Sequence, residues 1–214
     1  MAEEILDIYD ENFVHLGQMS RDDAHTTGSW HRTIHCWIVR PNEEGFVLFQ
    51  KRGRHKKLFP NTLDITAAGH YEAGEMPEHG VREIFEELGI KVKFSELIPL
   101  GLKYDIAKVG KIIIREFSDV YLLNRSEAPQ NYILNPNEVE GLVEIRISDG
   151  LRLFSGEADS AVASGIEWDP EKQVWNQIKR LIKVTDVFPR FDPYYYKIFI
   201  IAKWLLAGER YLSI

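Results

Sequence analysis

The sequence predicts a mixed α/β (α+β) core followed by a helical C-terminal extension. Three observations carry that expectation. Short runs rich in β-branched and aromatic residues, bounded by turn signals, recur at 34–39, 46–52 and 111–123. One segment, 81–88, has helical periodicity instead. Two pairs, Asp169-Pro170 and Asp192-Pro193, set a capping carboxylate ahead of a proline suited to a first helical turn. A length of 214 residues suits one domain with an addition. The expected division is N-terminal strands packed on the core over 1–29, the core domain over 30–163 and the helical extension over 164–214.

Taken in order, "EILDIYDENFVHLGQ" (4–18) reads as two short strands around a polar turn. "IHCWIV" (34–39) and "FVLFQKR" (46–52) are strands joined by "RPNEEG". "LDITAAG" is a short strand leading into "HYEAGEMPEHGVREIFEELGI". Gly89 offers that helix a left-handed C-terminal cap. "KVKF" restarts as a strand, "KIIIREFSDVYLL" (111–123) is the longest strand candidate, and "LVEIRI" (142–147) is followed by a helix near 148–154. Helices near 170–183 and 193–207 complete the chain. The aromatic stripe "PYYYKIFIIAKWLL" is expected to pack against the core or a second subunit, which leaves a homodimer open.

The totals exclude several classes. A net charge of −7 and a pI near 5.5 argue against a nucleic-acid binder, which usually carries a basic stripe. The single cysteine, Cys36, can form no internal disulfide, which fits a reducing compartment. The acidic opening "MAEEILDIYDENF" does not match a signal or transit peptide. The most apolar run, "IFIIAKWLLAG", is too short to span a bilayer and contains Lys203. A cytoplasmic protein with no membrane or nucleic-acid partner is the expectation.

The helix at 81–88 carries the chemistry. At 100° per residue, Val81, Ile84, Phe85 and Leu88 fall on one side, and Glu83, Glu86 and Glu87 on the other. A solvated face would explain acids in general. Here, though, like charges at i,i+3 and i,i+4 repel by a few tenths of a kcal/mol per pair. Glu86 and Glu87 also sit at the helix C-terminus, where the dipole disfavours anions. A hard divalent cation resolves the conflict, and Mg²⁺ shares its oxygen shell readily with substrate phosphates.

The spacing "GHYEAGE…REIFEELGI" resembles the Nudix box: a glycine, five residues, a glutamate, then R-E-U-x-E-E-x-G-U with U aliphatic. Gly69, Glu75, Arg82, Glu83, Ile84, Glu86, Glu87, Gly89 and Ile90 occupy its defining positions. "MPEHGV" is one residue shorter than the family's usual interval, so the helix must start later or the loop must tighten at Gly80. The resemblance implies an α/β/α sandwich with a mixed sheet. It also implies Mg²⁺ or Mn²⁺ held by Glu83, Glu86 and Glu87 with the Gly69 carbonyl, and Arg82 orienting a glutamate. Glu75, Arg82 and Gly89 would be structural members of the box.

The resemblance extends to the isopentenyl diphosphate isomerase branch through "AHTTGSWHRTIHCW", "QKRGRHKKLFPN" and "ITAAGH". It places His25, His31, His70 and Glu116 at positions of a second metal site. A second strand glutamate of that branch is replaced by Ile114. His and Glu are ordinary ligands for divalent metals, and an ionised Glu116 in an apolar strand needs a partner. Hydrogen-bonded turn histidines are the plain alternative. The isomerase thiol position is occupied by Ala68, whereas Cys36 lies on a strand and suits packing. Lys51, Arg52, Lys56 and Lys57, with Arg54, form a basic segment where the isomerase grips its diphosphate. Trp30, Trp37 and Phe59 are candidates for stacking on a base, or for packing.

Together these readings point to a Mg²⁺-dependent hydrolase of a phosphoanhydride in a small diphosphate compound. Glu83, Glu86 and Glu87 are expected to bind metal, and one of these glutamates or Glu116 to position or deprotonate water. The alternatives are isomerisation of isopentenyl diphosphate and a non-catalytic binding module.

Overall fold

The computed structural model describes residues 4–214. Residues 1–3 of the expected N-terminal segment lie outside the described residues. The elements run β1 (Ile5–Tyr9), β2 (His15–Ser20), α1 (Arg21–Thr27), β3 (Trp30–Arg40), β4 (Phe46–Arg52), β5 (Leu63–Asp64), β6 (Ala67–His70), α2 (Val81–Leu88), β7 (Ile98–Val109), β8 (Ile112–Asn124), β9 (Val139–Arg146), α3 (Ile147–Ser155), β10 (Ala161–Asp169), β11 (Val174–Ile182) and α4 (Tyr194–Leu206). They form one sheet whose main path is β11-β10-β9-β4-β3-β1-β2, with β6 and β8 also on β3, β5 on β4, and β7 outside β8. The pairing of β3 with β8 is parallel, and the others are antiparallel.

The alternation of β3 explains why both faces are covered. Trp37 and Val39 enter a core with Phe49, Val143 and Phe199, capped by α3 and α4. Ile34, Cys36 and Ile38 enter a second core with Leu48, Ile84 and Leu88, capped by α2. The result is helices on both sides of a mixed sheet.

Several expected elements differ. The segment 170–183 is not a helix: β10 and β11 form a hairpin that extends the sheet through β9. "VWNQIKRLI" lies flat on the sheet edge with roughly alternating exposure. The Asp169 carboxylate accepts from the backbone N–H groups of Glu171 and Lys172, so it closes a turn and does not start a helix. "KVKF" forms no strand; its Phe94 begins a single 3-10 turn. The helix near 193–207 is present as α4, with the Asp192 carboxylate 3.5 Å from Lys103 Nζ and making no cap.

Strand β7 and helix α1 were not expected. In β7 the apolar residues Leu102, Tyr104 and Ile106 face outward, and Lys103 and Asp105 face inward. This inverts the usual strand pattern, because the inner face of β7 borders a cavity. Helix α1 is held at its start by Ser20, whose hydroxyl accepts from Asp23 N–H, and it delivers His25 to the same cavity.

Candidate active site

Helix α2 is set by the chain on either side of it. The shortened interval is taken up by a 3-10 turn at Pro77–Gly80 that runs directly into the helix. A Cβ on Gly80 would meet Ile34 Cδ1 at 2.8 Å and Tyr71 Cε1 at 2.9 Å, so only glycine lets this turn approach β3. Glu75 still reaches Arg82, through Nε at 3.2 Å and Nη2 at 3.1 Å. Arg82 Nη1 lies 3.0 Å from both Glu83 and Glu86. One guanidinium therefore orients three carboxylates of the box.

The helix does not divide as its wheel suggests. Phe85 is 48% exposed and Glu87 only 4%. The buried stripe follows Ile84 and Leu88 but turns toward β6, so Glu83 and Glu87, one turn apart, both face the sheet. Glu83 lies directly on Gly69, leaving no room there for a Cβ. Glu87 Oε2 accepts from Ala68 N–H and Gln50 Nε2, each at 3.1 Å. Burial, reinforced by Glu86, pushes the Glu83 carboxyl up to about 7 against the opposing pull of Arg82. Burial and the Glu83 charge push Glu87 up to about 8. Both carboxylates are therefore short of positive charge, which a divalent cation would supply. Oxygen donors of this kind fit Mg²⁺ or Mn²⁺.

A second constellation stands beside the first. Glu116 Oε1 lies 3.7 Å from His25 Nε2, 3.6 Å from His31 Nε2 and 3.8 Å from His70 Nε2. One ligand atom from each residue falls within 4.8 Å of all the others. Strand register brings His31 opposite Glu116 and His70 opposite Thr33. Each imidazole faces an acceptor through Nδ1: Arg21 O for His25, Ser29 O for His31, and Glu4 Oε1 at 3.4 Å for His70. With Nδ1 so engaged, Nε2 is the ring atom that faces Glu116, and the Nε2 atoms of His31 and His70 are buried without hydrogen-bond partners. Burial pushes the Glu116 carboxyl up, but the three imidazoles outweigh it and hold it well below the usual range. Burial lowers His70 to about 4. Three imidazole nitrogens around a carboxylate are the donor set of a transition-metal site.

Both constellations open into one cavity of about 1010 Å³. The basic segment contributes unevenly. Arg52 and Lys56 line the cavity, while Lys51 and Lys57 lie outside its lining. Lys51 is held by Glu167 of β10 at 2.7 Å, and Lys57 by Asp22 at 2.6 Å on the surface. Arg54 is committed to Glu140. Arg52 donates to Leu58 O and Asp64. Trp30 and Trp37 are buried packing residues, and Phe59 packs on Phe188, so none of the three lines the cavity.

The sequence reading missed His35, Lys103, Asp105 and Arg190, all of which line the cavity. For His35 a signal existed: His31, Thr33 and His35 alternate and so share one face of β3. Arg190, in the irregular segment before α4, offered none. It is buried and donates to Asp105 at 3.0 Å and Asp64 at 3.2 Å.

With this geometry in place, the comparisons with known proteins are direct. The family model of the NUDIX domain matches residues 29–161. An uncharacterised Nudix hydrolase of Clostridium acetobutylicum is 40% identical over 196 residues, covering 91% of this chain and 95% of that one. An isopentenyl-diphosphate Delta-isomerase of Pectobacterium atrosepticum is 27% identical over 133 residues, covering 62% of this chain and 70% of the other. A crystal structure from Deinococcus radiodurans superposes with a TM-score of 0.55 at 27% identity, over 72% of this chain and 90% of that one. The chain belongs to the NUDIX domain family. It is an enzyme of the pyrophosphohydrolase type.

Proposed function

We propose that the protein is a Mg²⁺- or Mn²⁺-dependent hydrolase of a phosphoanhydride bond in a small diphosphate compound. The observation that carries this reading is the pair Glu83 and Glu87, buried beside Gly69 and Ala68 with their carboxyls pushed up to about 7 and about 8. Glu83, Glu86 and Glu87 would hold the cation, with the Gly69 carbonyl as a further oxygen donor. When bound, the cation supplies Lewis-acid charge to the phosphoanhydride. Arg82 keeps Glu83 and Glu86 in place, and Lys56 meets the substrate's negative charge at the cavity wall. Water is positioned or deprotonated by a box glutamate or by Glu116. His25, His31, His70 and Glu116 would hold a second metal.

Isomerisation of isopentenyl diphosphate is the second reading, favoured by the assembled His–Glu cluster. Ala68 stands against it, since that position carries no thiol, and Cys36 is buried in the opposite core with its thiol pushed up to about 12 by burial. One ³¹P and ¹H NMR time course separates the two. The protein, with Mg²⁺, meets ADP-ribose, a UDP-sugar, a diadenosine polyphosphate and isopentenyl diphosphate. New monophosphate or orthophosphate signals that vanish in Glu86→Gln support hydrolysis. A static phosphorus spectrum with moving alkene protons would replace it with isomerisation.

A further inference from the structure

The inner wall of the cavity holds a donor and an acceptor that face each other without meeting. His35 is buried on β3. Its Nδ1 lies 3.0 Å from the Tyr194 hydroxyl, which lies 2.9 Å from Trp37 Nε1. An indole N–H can only donate, so the Tyr194 oxygen accepts from Trp37, and among the described residues the one acceptor within reach of the buried Tyr194 O–H is His35 Nδ1. His35 therefore carries its hydrogen on Nε2. Burial lowers His35 to about 4, so the ring is neutral at neutral pH.

That Nε2 lies 4.0 Å from Asp105 Oδ2, too far for a hydrogen bond. Asp105 is otherwise well held: Oδ1 accepts from Lys103 and Arg190, and Oδ2 accepts from Ser118 Oγ at 3.2 Å. Burial raises its carboxyl, but the charges of Arg190 and Lys103 outweigh this and keep it below the ordinary range. Oδ2 keeps one lone pair for the cavity. An oxygen at ~2.8 Å from both atoms would see them at roughly 90°, close to the angle between one accepted and one donated bond at a hydroxyl. A phosphate oxygen cannot serve, because it has no hydrogen for Asp105. An alkyl chain can serve neither group.

We propose that His35 Nε2–H and Asp105 Oδ2 form a binding site for a substrate hydroxyl, so that the diphosphate compound is a sugar or nucleoside derivative and not a prenyl diphosphate. The carrier of the hydroxyl rests on the hydrolase reading above; the donor–acceptor pair does not. Sites built to bond a substrate hydroxyl discriminate by about 10⁴–10⁵ against analogues lacking it, because the buried polar groups are left unpaired. Tyr194 is a positioning residue, acting through the tautomer of His35.

Long-range ¹H–¹⁵N correlation on the wild-type imidazoles tests the pair directly. The free protein should show His35 as the Nε2–H tautomer. ADP-ribose, UDP-glucose or a diadenosine polyphosphate should move its Nε2 signal, and dimethylallyl diphosphate should not. An Nδ1–H tautomer, an equal response to hydroxylated and prenyl compounds, or no response to any of them overturns the site. In turnover, His35→Leu should lower kcat/KM for the hydroxylated substrate at least 100-fold, and His35→Gln, which keeps a nearby N–H, should restore most of it. Preferential cleavage of the prenyl compound overturns the proposal. If the imidazole responds as expected and no diphosphate is cleaved, the hydroxyl site stands and the hydrolase reading falls.

Discussion

Stripped of divalent cations, the protein should lose stability as the pH rises from about 5 to about 8.5, and Glu87 should be the main cause. Its carboxyl is pushed from an ordinary 4.5 to about 8 by burial and by Glu83. Between those values the native state keeps a proton that the unfolded chain has released. The contribution is therefore full below about 4.5 and is lost as the pH climbs through about 8. At 1.36 kcal/mol per tenfold, the loss for this group has a ceiling of about 5 kcal/mol. That is a large part of a typical domain stability of about 5–15 kcal/mol. Glu83, raised to about 7, acts in the same direction. The perturbation is Glu87→Gln, whose amide oxygen can still accept from Gln50 and Ala68 but cannot ionise. The assay is urea unfolding across this pH range with a chelator present. Wild type should weaken steeply and Glu87→Gln far less. Magnesium should stabilise wild type more at pH ~8 than at pH ~6, because it binds the ionised form. A flat wild-type profile, or equal slopes in the two proteins, would refute the reasoning.

Other consequences follow from the same geometry. Lys56→Ala should raise KM several-fold in steady-state assays, whereas Lys51→Ala should leave it nearly unchanged: both lysines are paired with a glutamate, Glu138 and Glu167, but only Lys56 lines the cavity. Gly69→Ala should displace the Glu83 carboxylate and lower Mg²⁺ affinity at least tenfold by calorimetric titration. Tyr194→Phe leaves Trp37 Nε1–H buried without a partner, which should cost about 1–3 kcal/mol in urea unfolding.

Strands whose apolar residues point to a core were legible in the sequence: β4 and β8 fall within a residue or so of expectation. The box helix was legible because its charges conflict with helix electrostatics. Strand β7 was not, because its inward residues, Lys103 and Asp105, serve a polar cavity and invert the pattern. The hairpin of β10 and β11 was hidden by Asp169-Pro170, whose carboxylate serves a turn as readily as a helix start. The His–Glu cluster was reached through resemblance, and strand register supplies the physical reason its members meet. Arg52 and Lys51 show the limit of reading charge along the chain: where a cation goes depends on which acid the fold sets beside it, 12 residues away for Arg52 and 116 for Lys51.

The bond between His35 and Tyr194 joins positions 159 residues apart. A ribosome adding about 5–20 residues per second makes the first roughly 8–32 s before the second. Once Glu116 has been added the growing chain holds the glutamates and the histidines, but the imidazole of His35 still lacks the partner that sets its hydrogen. On the proposed reading of that pair, a chain cut short before Tyr194 would carry the candidate hydrolytic residues but would lack both the hydroxyl that sets the His35 tautomer and the helix that closes one core.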